Sequence, residues 1–257
     1  MLSGFSTFKD LHHEKNLFIL PNAWDAKSAL VFEQNGFRAI GTSSAAVAAS
    51  LGYEDGEEMS FDDYLFIIKR MIDCVQIPVT VDMEMGYAKT NEKIAENIER
   101  LADLGVTGIN IEDSIVINSK RFLKDADEFA TTVEYIKNHL SAKNLSVFIN
   151  IRCDTYILDV ADKQKETARR LNIYETTAAN GIFLPCIIDE NDIAEAVSRT
   201  RLPLNVMCVP HLPGFAKLNQ LGVKRVSMGP FLFNKIYSTI SDLARRIYDD
   251  KNFSSIL

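Results

Sequence analysis

Val147-Phe-Ile-Asn-Ile-Arg152 ends a run of strand-forming residues on a cation, and two other stretches end theirs on acids: Val79-Thr-Val-Asp-Met-Glu84 and Gly108-Ile-Asn-Ile-Glu-Asp113. A strand turns successive side chains to opposite faces. That rule groups Asp82 with Glu84, Asn110 with Glu112, and Asn150 with Arg152 and Asp154. If the three runs are parallel neighbours, three carboxylates and a guanidinium converge at their carboxyl ends. Such a cluster suits a hard divalent cation held beside an anionic substrate.

Working outward, strand-like runs recur at 17–20, 39–42, 79–82, 108–112, 147–152, 181–184, 204–207 and 225–228. Amphipathic stretches separate them at 25–34, 61–75, 91–104, 127–140, 163–179, 189–198, 214–221 and 231–249. Ser60 with Asp63 reads as a capping box and Asn91 as the cap of the next helix. Gly36, Gly105 and Gly222 fall just past helical stretches, where a left-handed residue ends a helix. This alternation predicts an α/β fold, a closed parallel TIM-type (β/α)8 barrel. A doubly wound sheet is the weaker reading, because no GxGxxG or GxxxxGK[ST] occurs in the chain. Segment 3–15 reads as an extra helix covering the bottom of the barrel. With no linker or low-complexity tract, the 257 residues are expected to form a single domain, 1–257. Barrels of this kind commonly run ~200–250 residues.

Hydrophobic residues make up 47% of the chain, enough for a large core, and the net charge of −7 argues against nucleic acid or an anionic membrane as partner. No 18-residue apolar run and no signal-like start are present. Cys74, Cys153, Cys186 and Cys208 have neither CxxC nor disulfide-like spacing, which fits a reducing, cytoplasmic setting. With four His residues and scattered Cys, a zinc site is not expected. The last helix opens on the aromatic-rich Gly229-Pro-Phe-Leu-Phe-Asn-Lys-Ile-Tyr237. That is more apolar than one barrel wall requires, so either a partner subunit or ordinary core packing takes up the excess.

Barrels of this class build their sites at the carboxyl ends of the strands. Walking those ends gives Asn22-Ala-Trp-Asp25, Gly41-Thr-Ser-Ser44, Asp82 with Glu84, Glu112 with Asp113, Arg152 with Asp154, then Pro185, Asn205 and Gly229. The Gly41–Ala46 turn offers hydroxyls and backbone N–H groups to a carboxylate or phosphoryl oxygen. Asp55 sits in a loop that could fold over this mouth. His211, between two prolines near the rim, could donate a proton, although an ordinary loop histidine explains it as well. His12, His13 and His139 read as solvated helix residues, Cys153 as an outward packing residue, and Lys163–Arg170 as a solvated helix face.

Taken together, Asn22-Ala-Trp-Asp25, Gly36–Ala45, Ala49–Asp55, Val81-Asp-Met-Glu-Met-Gly-Tyr87, Gly108–Asp113 and Ile151-Arg152 resemble the isocitrate lyase/phosphoenolpyruvate mutase superfamily. Ala178–Pro185 and Leu221–Ser227 fit its later strands, so the resemblance spans about 17–240. It implies chemistry on a small anionic 2-oxo acid or enol phosphate, with Mg²⁺ or Mn²⁺ as cofactor. By position, Asp82 is the metal's main ligand, with Glu84, Glu112 and Asp55 holding its waters. Thr42, Ser43 and Ser44 resemble the turn that receives the substrate, Trp24 and Asn205 are further candidate substrate contacts, and Arg152, Glu112 and Asp55 are the candidate catalytic groups. The resemblance also implies a homotetramer, or failing that a dimer, with the last helix exchanged between subunits.

One segment departs from the family. The lyases carry a Lys-Lys/Arg-Cys-Gly-His gate after the Glu112 position, and this chain reads Ser114-Ile-Val-Ile-Asn-Ser-Lys-Arg-Phe-Leu123 instead, with Phe122 at the Cys position. Neither is the mutases' Pro-Lys-x-Asn-Ser reproduced: Lys120 is displaced, or Asn118 takes its place. The expected activity is a Mg²⁺-dependent lyase that cleaves a C–C bond, or decarboxylates, in a small 2-oxo or 2-hydroxy diacid. The alternatives are a P–C bond enzyme of the phosphonomutase kind and a non-catalytic 2-oxo-acid binder.

Overall fold

The computed structural model describes residues 4–117 and 120–257. Pro21 divides the first stave of the barrel. The run through β1 (Phe18–Leu20) and β2 (Asn22–Ala23) is interrupted at this residue, which has no N–H to give a ladder. β1 pairs in parallel with β11 (Arg225–Ser227), and β2 pairs in parallel with β3 (Ile40–Thr42). The remaining strands are β4 (Val79–Asp82), β5 (Gly108–Glu112), β8 (Phe148–Arg152), β9 (Gly181–Leu184) and β10 (Leu204–Met207), all parallel between those two ends. The nine hydrogen-bonded segments are therefore eight staves, because the first and last members of the sheet are consecutive halves of one run. The predicted barrel closes at this point.

The registers Asp82↔Asn110, Asn110↔Asn150 and Glu112↔Arg152 confirm that the three stretches that decided the fold are neighbours. β5 is buried along its whole length, as a stave covered on both faces must be. Around it stand α2 (Ala26–Gln34), α4 (Phe61–Ile72), α5 (Asn91–Asp103), α6 (Ala126–Ala142), α7 (Lys163–Tyr174), α8 (Glu190–Ser198), α9 (Phe215–Leu221) and α10 (Phe231–Asp250). Ser60 accepts from Asp63 N as expected, whereas Thr90, not Asn91, caps α5 by accepting from Lys93 N. Gly36, Gly105 and Gly222 all take positive φ.

α1 (Gly4–Leu11) covers the amino ends of the staves, packing Phe8 and Leu11 with Phe18, Leu20 and Phe148. Its predecessor Ser3, part of the predicted helix, lies outside the described residues, as does Asn118. His12 is not the solvated residue its position suggested. It is fully buried, stacks on Phe148 at 4.2 Å and bonds the Phe8 carbonyl through Nδ1 at 2.9 Å. Burial and the nearby Arg225 push its pKa well below the ordinary range, so it is neutral.

Two short elements stand outside the eightfold alternation: α3 (Ser44–Ser50), in the Ala-rich stretch after the Gly41 turn, and an antiparallel hairpin of β6 (Ser114–Ile117) and β7 (Lys120–Leu123). Arg170 also departs from expectation. It is buried, and its Nη1 donates to Asp113 Oδ2 at 2.9 Å while Tyr174 OH donates to the same oxygen at 2.7 Å. Asp113 Oδ1 in turn accepts from Asp154 N at 2.8 Å, tying α7 to the loop beyond β8. Removing one partner of a buried pair strands the other charge, so Asp113→Ala is expected to cost ~3–5 kcal/mol in urea denaturation. A loss below about 1 kcal/mol would show that this tie does not hold the helix layer.

Candidate active site

β3 and β4 end in a shared clamp. Tyr64, on α4, lies with its hydroxyl 2.6 Å from Thr42 Oγ1 and donates to the Asp82 carbonyl at 3.0 Å. Asp82 N donates to Thr42 Oγ1 at 2.9 Å. The Thr42 hydroxyl, expected to meet substrate, is thus occupied in holding the strand ends together. Ser43 Oγ caps α3 by accepting from Ala46 N at 3.3 Å. Ser44 is the member of the turn whose hydroxyl faces the acids, donating to Asp82 Oδ2 at 2.9 Å. Asp82 Oδ1 is buried and has no hydrogen-bond partner among the described residues.

Glu84 reaches the same place by a different route from the one strand alternation suggested. β4 stops at Asp82, and Glu84 sits in the following turn at φ +46°. Tyr87 (φ +55°) and Glu57 (φ +67°) share this left-handed backbone, and Glu57 Oε1 accepts from Tyr87 N at 2.7 Å. Strained non-glycine residues gathered at one spot need surrounding structure to hold them and are a mark of functional sites. Tyr87 OH donates to Glu84 Oε1 at 3.0 Å, while Oε2 is buried without a partner. Burial, then the charges of Asp55, Asp82 and Glu57, push the Glu84 pKa up to about 8. Burial and Asp82 also raise that of Asp55.

Facing these acids is a neutralised group. Arg152 donates through Nε to Asp154 Oδ1 at 2.7 Å and through Nη2 to Oδ2 at 3.2 Å. Its Nη1 lies 2.8 Å from Glu112 Oε2, off line for a hydrogen bond but close enough for an ion pair. Arg121, on β7, pairs with Glu112 from the hairpin side, and Ser114 Oγ lies 3.1 Å from Glu112 and 2.6 Å from Asp154. Along β7 the alternation turns Arg121 inward and Phe122 outward. The residue at the lyases' Cys position therefore points away from the acids.

The cleft between these groups, about 160 Å³, is lined by Asn22, Ser44, Asp55, Asp82, Asn110 and Arg152 on its polar side and by Ile157, Phe183, Pro185, Met207 and Pro230 on its apolar side. That gives room for on the order of ten water-sized groups. Asn22, which reasoning from sequence placed at a strand end without a role, staples the mouth. It donates to Thr42 O at 2.8 Å and accepts from Met228 N and Gly229 N at 2.9 Å each. Two candidates fall elsewhere. Trp24 packs edge-on against Phe233 of α10, outside the barrel, and Asn205 bonds Asn150 at 2.6 Å in the layer beneath the cleft. Tyr64 was not foreseen as a site residue, because a tyrosine on an amphipathic helix carries no signal that it clamps two strand ends.

Buried carboxylate oxygens without hydrogen-bond partners among the described residues, on Asp82 and Glu84, are groups that a cation would satisfy. Among the described residues no three acids stand close enough to ligate one ion together. An ion held here could take Asp82 as its direct protein ligand and reach Glu84 and Asp55 only through water.

A parallel barrel with an acid-rich cleft at the carboxyl ends of its strands defines a class of metabolic barrel protein. The chain belongs to the phosphoenolpyruvate phosphomutase family, whose profile matches residues 8–248, within the PEP mutase/isocitrate lyase superfamily. It is 36% identical over 243 residues to an uncharacterized protein of Mycobacterium tuberculosis, covering 95% of this chain and 89% of that one. A structure from Burkholderia cenocepacia provisionally assigned as a phosphonomutase is similar at TM-score 0.88 and 32% identity, over 94% of this chain and 99% of its own. The fold of 2,3-dimethylmalate lyase matches at TM-score 0.88 with 19% identity, over 99% and 90% of the two chains.

Because the folded pKa of Glu84 lies above its ordinary 4.5, its contribution to stability is full below about pH 4.5 and is lost as pH rises through about 8. Cation-free protein is thus expected to lose Tm between about pH 4.5 and about pH 8, and Glu84→Gln to flatten that slope. An unchanged slope in the variant would remove Glu84 from the titrating cluster.

Proposed function

We propose that the protein is a cytoplasmic, divalent-cation-dependent lyase that breaks a C–C bond, or decarboxylates, in a small 2-oxo or 2-hydroxy diacid. The observation that carries this reading is the buried Asp82 oxygen without a hydrogen-bond partner among the described residues, in a cleft that Asp82 and Arg152 both line, with the Glu84 carboxylate buried close behind it. Asp55, Asp82, Glu84 and Glu57 together would repel an anion, so a divalent cation is needed to reverse the local field. Mg²⁺ or Mn²⁺ bound at Asp82 would supply Lewis-acid polarisation of the substrate's 2-oxo group.

The protein's own groups do the rest. Arg152 is fixed on two sides by Asp154 and Glu112, so its charge is in place before the reaction and stabilises the negative charge that collects on the 2-oxo oxygen when the bond breaks. Ser44 orients Asp82, and the first turn of α3 brings N–H groups that a helix leaves unpaired to the cleft beside it. Asp55 lines the mouth, and Arg121 of β7 braces Glu112 from the other side.

The apolar wall of Ile157, Phe183, Pro185 and Met207 favours a substrate whose departing part is carbon. A phosphonate would ask for cations there. A P–C bond reaction of the phosphonomutase kind is the second reading, supported by the match of the family profile across most of the chain. The exposed Phe231, Ile236, Tyr237 and Ile240 of α10 support assembly as a homotetramer, or a dimer.

A panel of 2-oxo and 2-hydroxy diacids and phosphonopyruvate, assayed for pyruvate release with Mg²⁺ or Mn²⁺, tests the proposal. Asp82→Ala is expected to lower kcat by at least ~10²-fold, and Arg152→Lys, which keeps charge but loses the planar fork, by a similar factor. Turnover indifferent to both Asp82→Ala and a chelator would defeat it.

A further inference from the structure

Beneath the cleft the barrel holds a charge that the proposed chemistry does not use. Arg225, on β11, is fully buried, with Asn205 of β10 and Phe18 of β1 as its neighbours in register. A chain of amides runs across this layer. Asn205 Nδ2 donates to Asn150 Oδ1 at 2.6 Å, and Asn150 Nδ2 donates to Asn110 Oδ1 at 2.8 Å. Arg225 Nη2 donates to that same Asn110 oxygen at 3.1 Å. Nε and Nη1 of Arg225 have no hydrogen-bond partner among the described residues.

A guanidinium in this position is costly, because taking a charge out of water is repaid only by close opposite charge and full hydrogen bonding. The charge that steadies it is that of Asp82, against a burial that pulls its pKa down to about 9. It is therefore a cation at neutral pH. His12, the other titratable group near it, is held neutral and adds no charge.

Asn110 transmits the arrangement upward. Two donors pin its Oδ1 from within the barrel, which leaves Nδ2 as the group it can offer, and Asn110 lines the cleft. Nothing in a sequence marks an arginine in a late strand as serving an asparagine on a strand across the barrel.

We propose that Arg225 is a positioning residue for the anion site: it turns the Asn110 amide so that its N–H donates to a ligand oxygen, and its uncompensated charge beneath Asp82 favours a planar organic anion in the cleft. The inference rests on reading the cleft as the place of a 2-oxo acid beside a divalent cation. It carries a signature that a structural role lacks. A buried cation below Asp82 repels a metal ion and attracts an anion, so its removal should move the two affinities in opposite directions.

Two probes separate these effects: Mn²⁺ alone, followed by electron paramagnetic resonance, and oxalate, a planar dianion shaped like the enolate of pyruvate, followed by calorimetry at saturating Mn²⁺. In Arg225→Met, oxalate binding should weaken about tenfold or more, the range for losing a hydrogen bond with a charged partner, while Mn²⁺ binds as well as before or more tightly. Arg225→Lys keeps the charge without the planar fork and carries the test if the Met variant does not fold. It should leave Mn²⁺ binding unchanged and weaken oxalate by an intermediate factor of about three. Loss of both affinities in equal proportion in either variant overturns the proposal in favour of a structural role. Oxalate binding within twofold of wild type in Arg225→Met overturns it as well. Wild-type protein that takes Mn²⁺ but no oxalate defeats the anion reading itself, and this inference with it. Wild-type binding of oxalate with an indifferent Arg225→Met defeats the inference alone.

Discussion

Buried like charge is the constraint around which this molecule is arranged. Asp55, Asp82, Glu84 and Glu57 stand close enough that burial and their charges raise the affinity of Glu84 for protons, as Asp82 helps to raise that of Asp55. Carboxylates in that situation persist because surrounding structure holds them there. Tyr64 and Thr42 lock the ends of β3 and β4, Tyr87 fixes one oxygen of Glu84, and a turn of left-handed residues aims the rest. Stability is given up locally for a site in which opposite charge is wanted, and the remainder of the barrel must supply it.

The barrel can do so because it closes. With β1 and β2 as halves of one run, every stave has two neighbours, and the strand ends form a ring and not an edge. Acids on β4, the turn beyond it and β5 then face a cation on β8 at fixed separations. The pairing of Arg152 with both Glu112 and Asp154 neutralises one half of the ring, while the other half keeps its unpartnered oxygens. That asymmetry sets free acid oxygens and a braced guanidinium apart within one small cleft. Outside, Asp113 and Arg170 perform a different task with the same chemistry, fastening the helix layer to the strand ends.

How much of this was legible depends on the range of the interaction. The staves could be read from runs of β-branched residues, and Gly36, Gly105 and Gly222 as helix ends, because the forces involved act between near neighbours in sequence. The acids and the arginine at strand ends were legible for the same reason, once parallel pairing was assumed. Long-range matters were not. His12 and Arg170 look like solvated helix residues until the layers packed over them are known, and Trp24 looks like a rim residue until α10 covers it. Thr42 reads as a ligand-binding hydroxyl, yet Tyr64, 22 residues away, claims it.

The sequence by itself determined the alternation of strands and helices, the membership of the superfamily and the kind of groups gathered at the mouth, since these follow from local pattern and composition. Tertiary structure alone decided which oxygens stay without partners, which hydroxyls are spent on the scaffold, and that Arg121 faces in while Phe122 faces out. The physical reason is that burial and charge pairing are properties of a side chain's surroundings. Those surroundings are assembled here from strands that lie far apart along the chain.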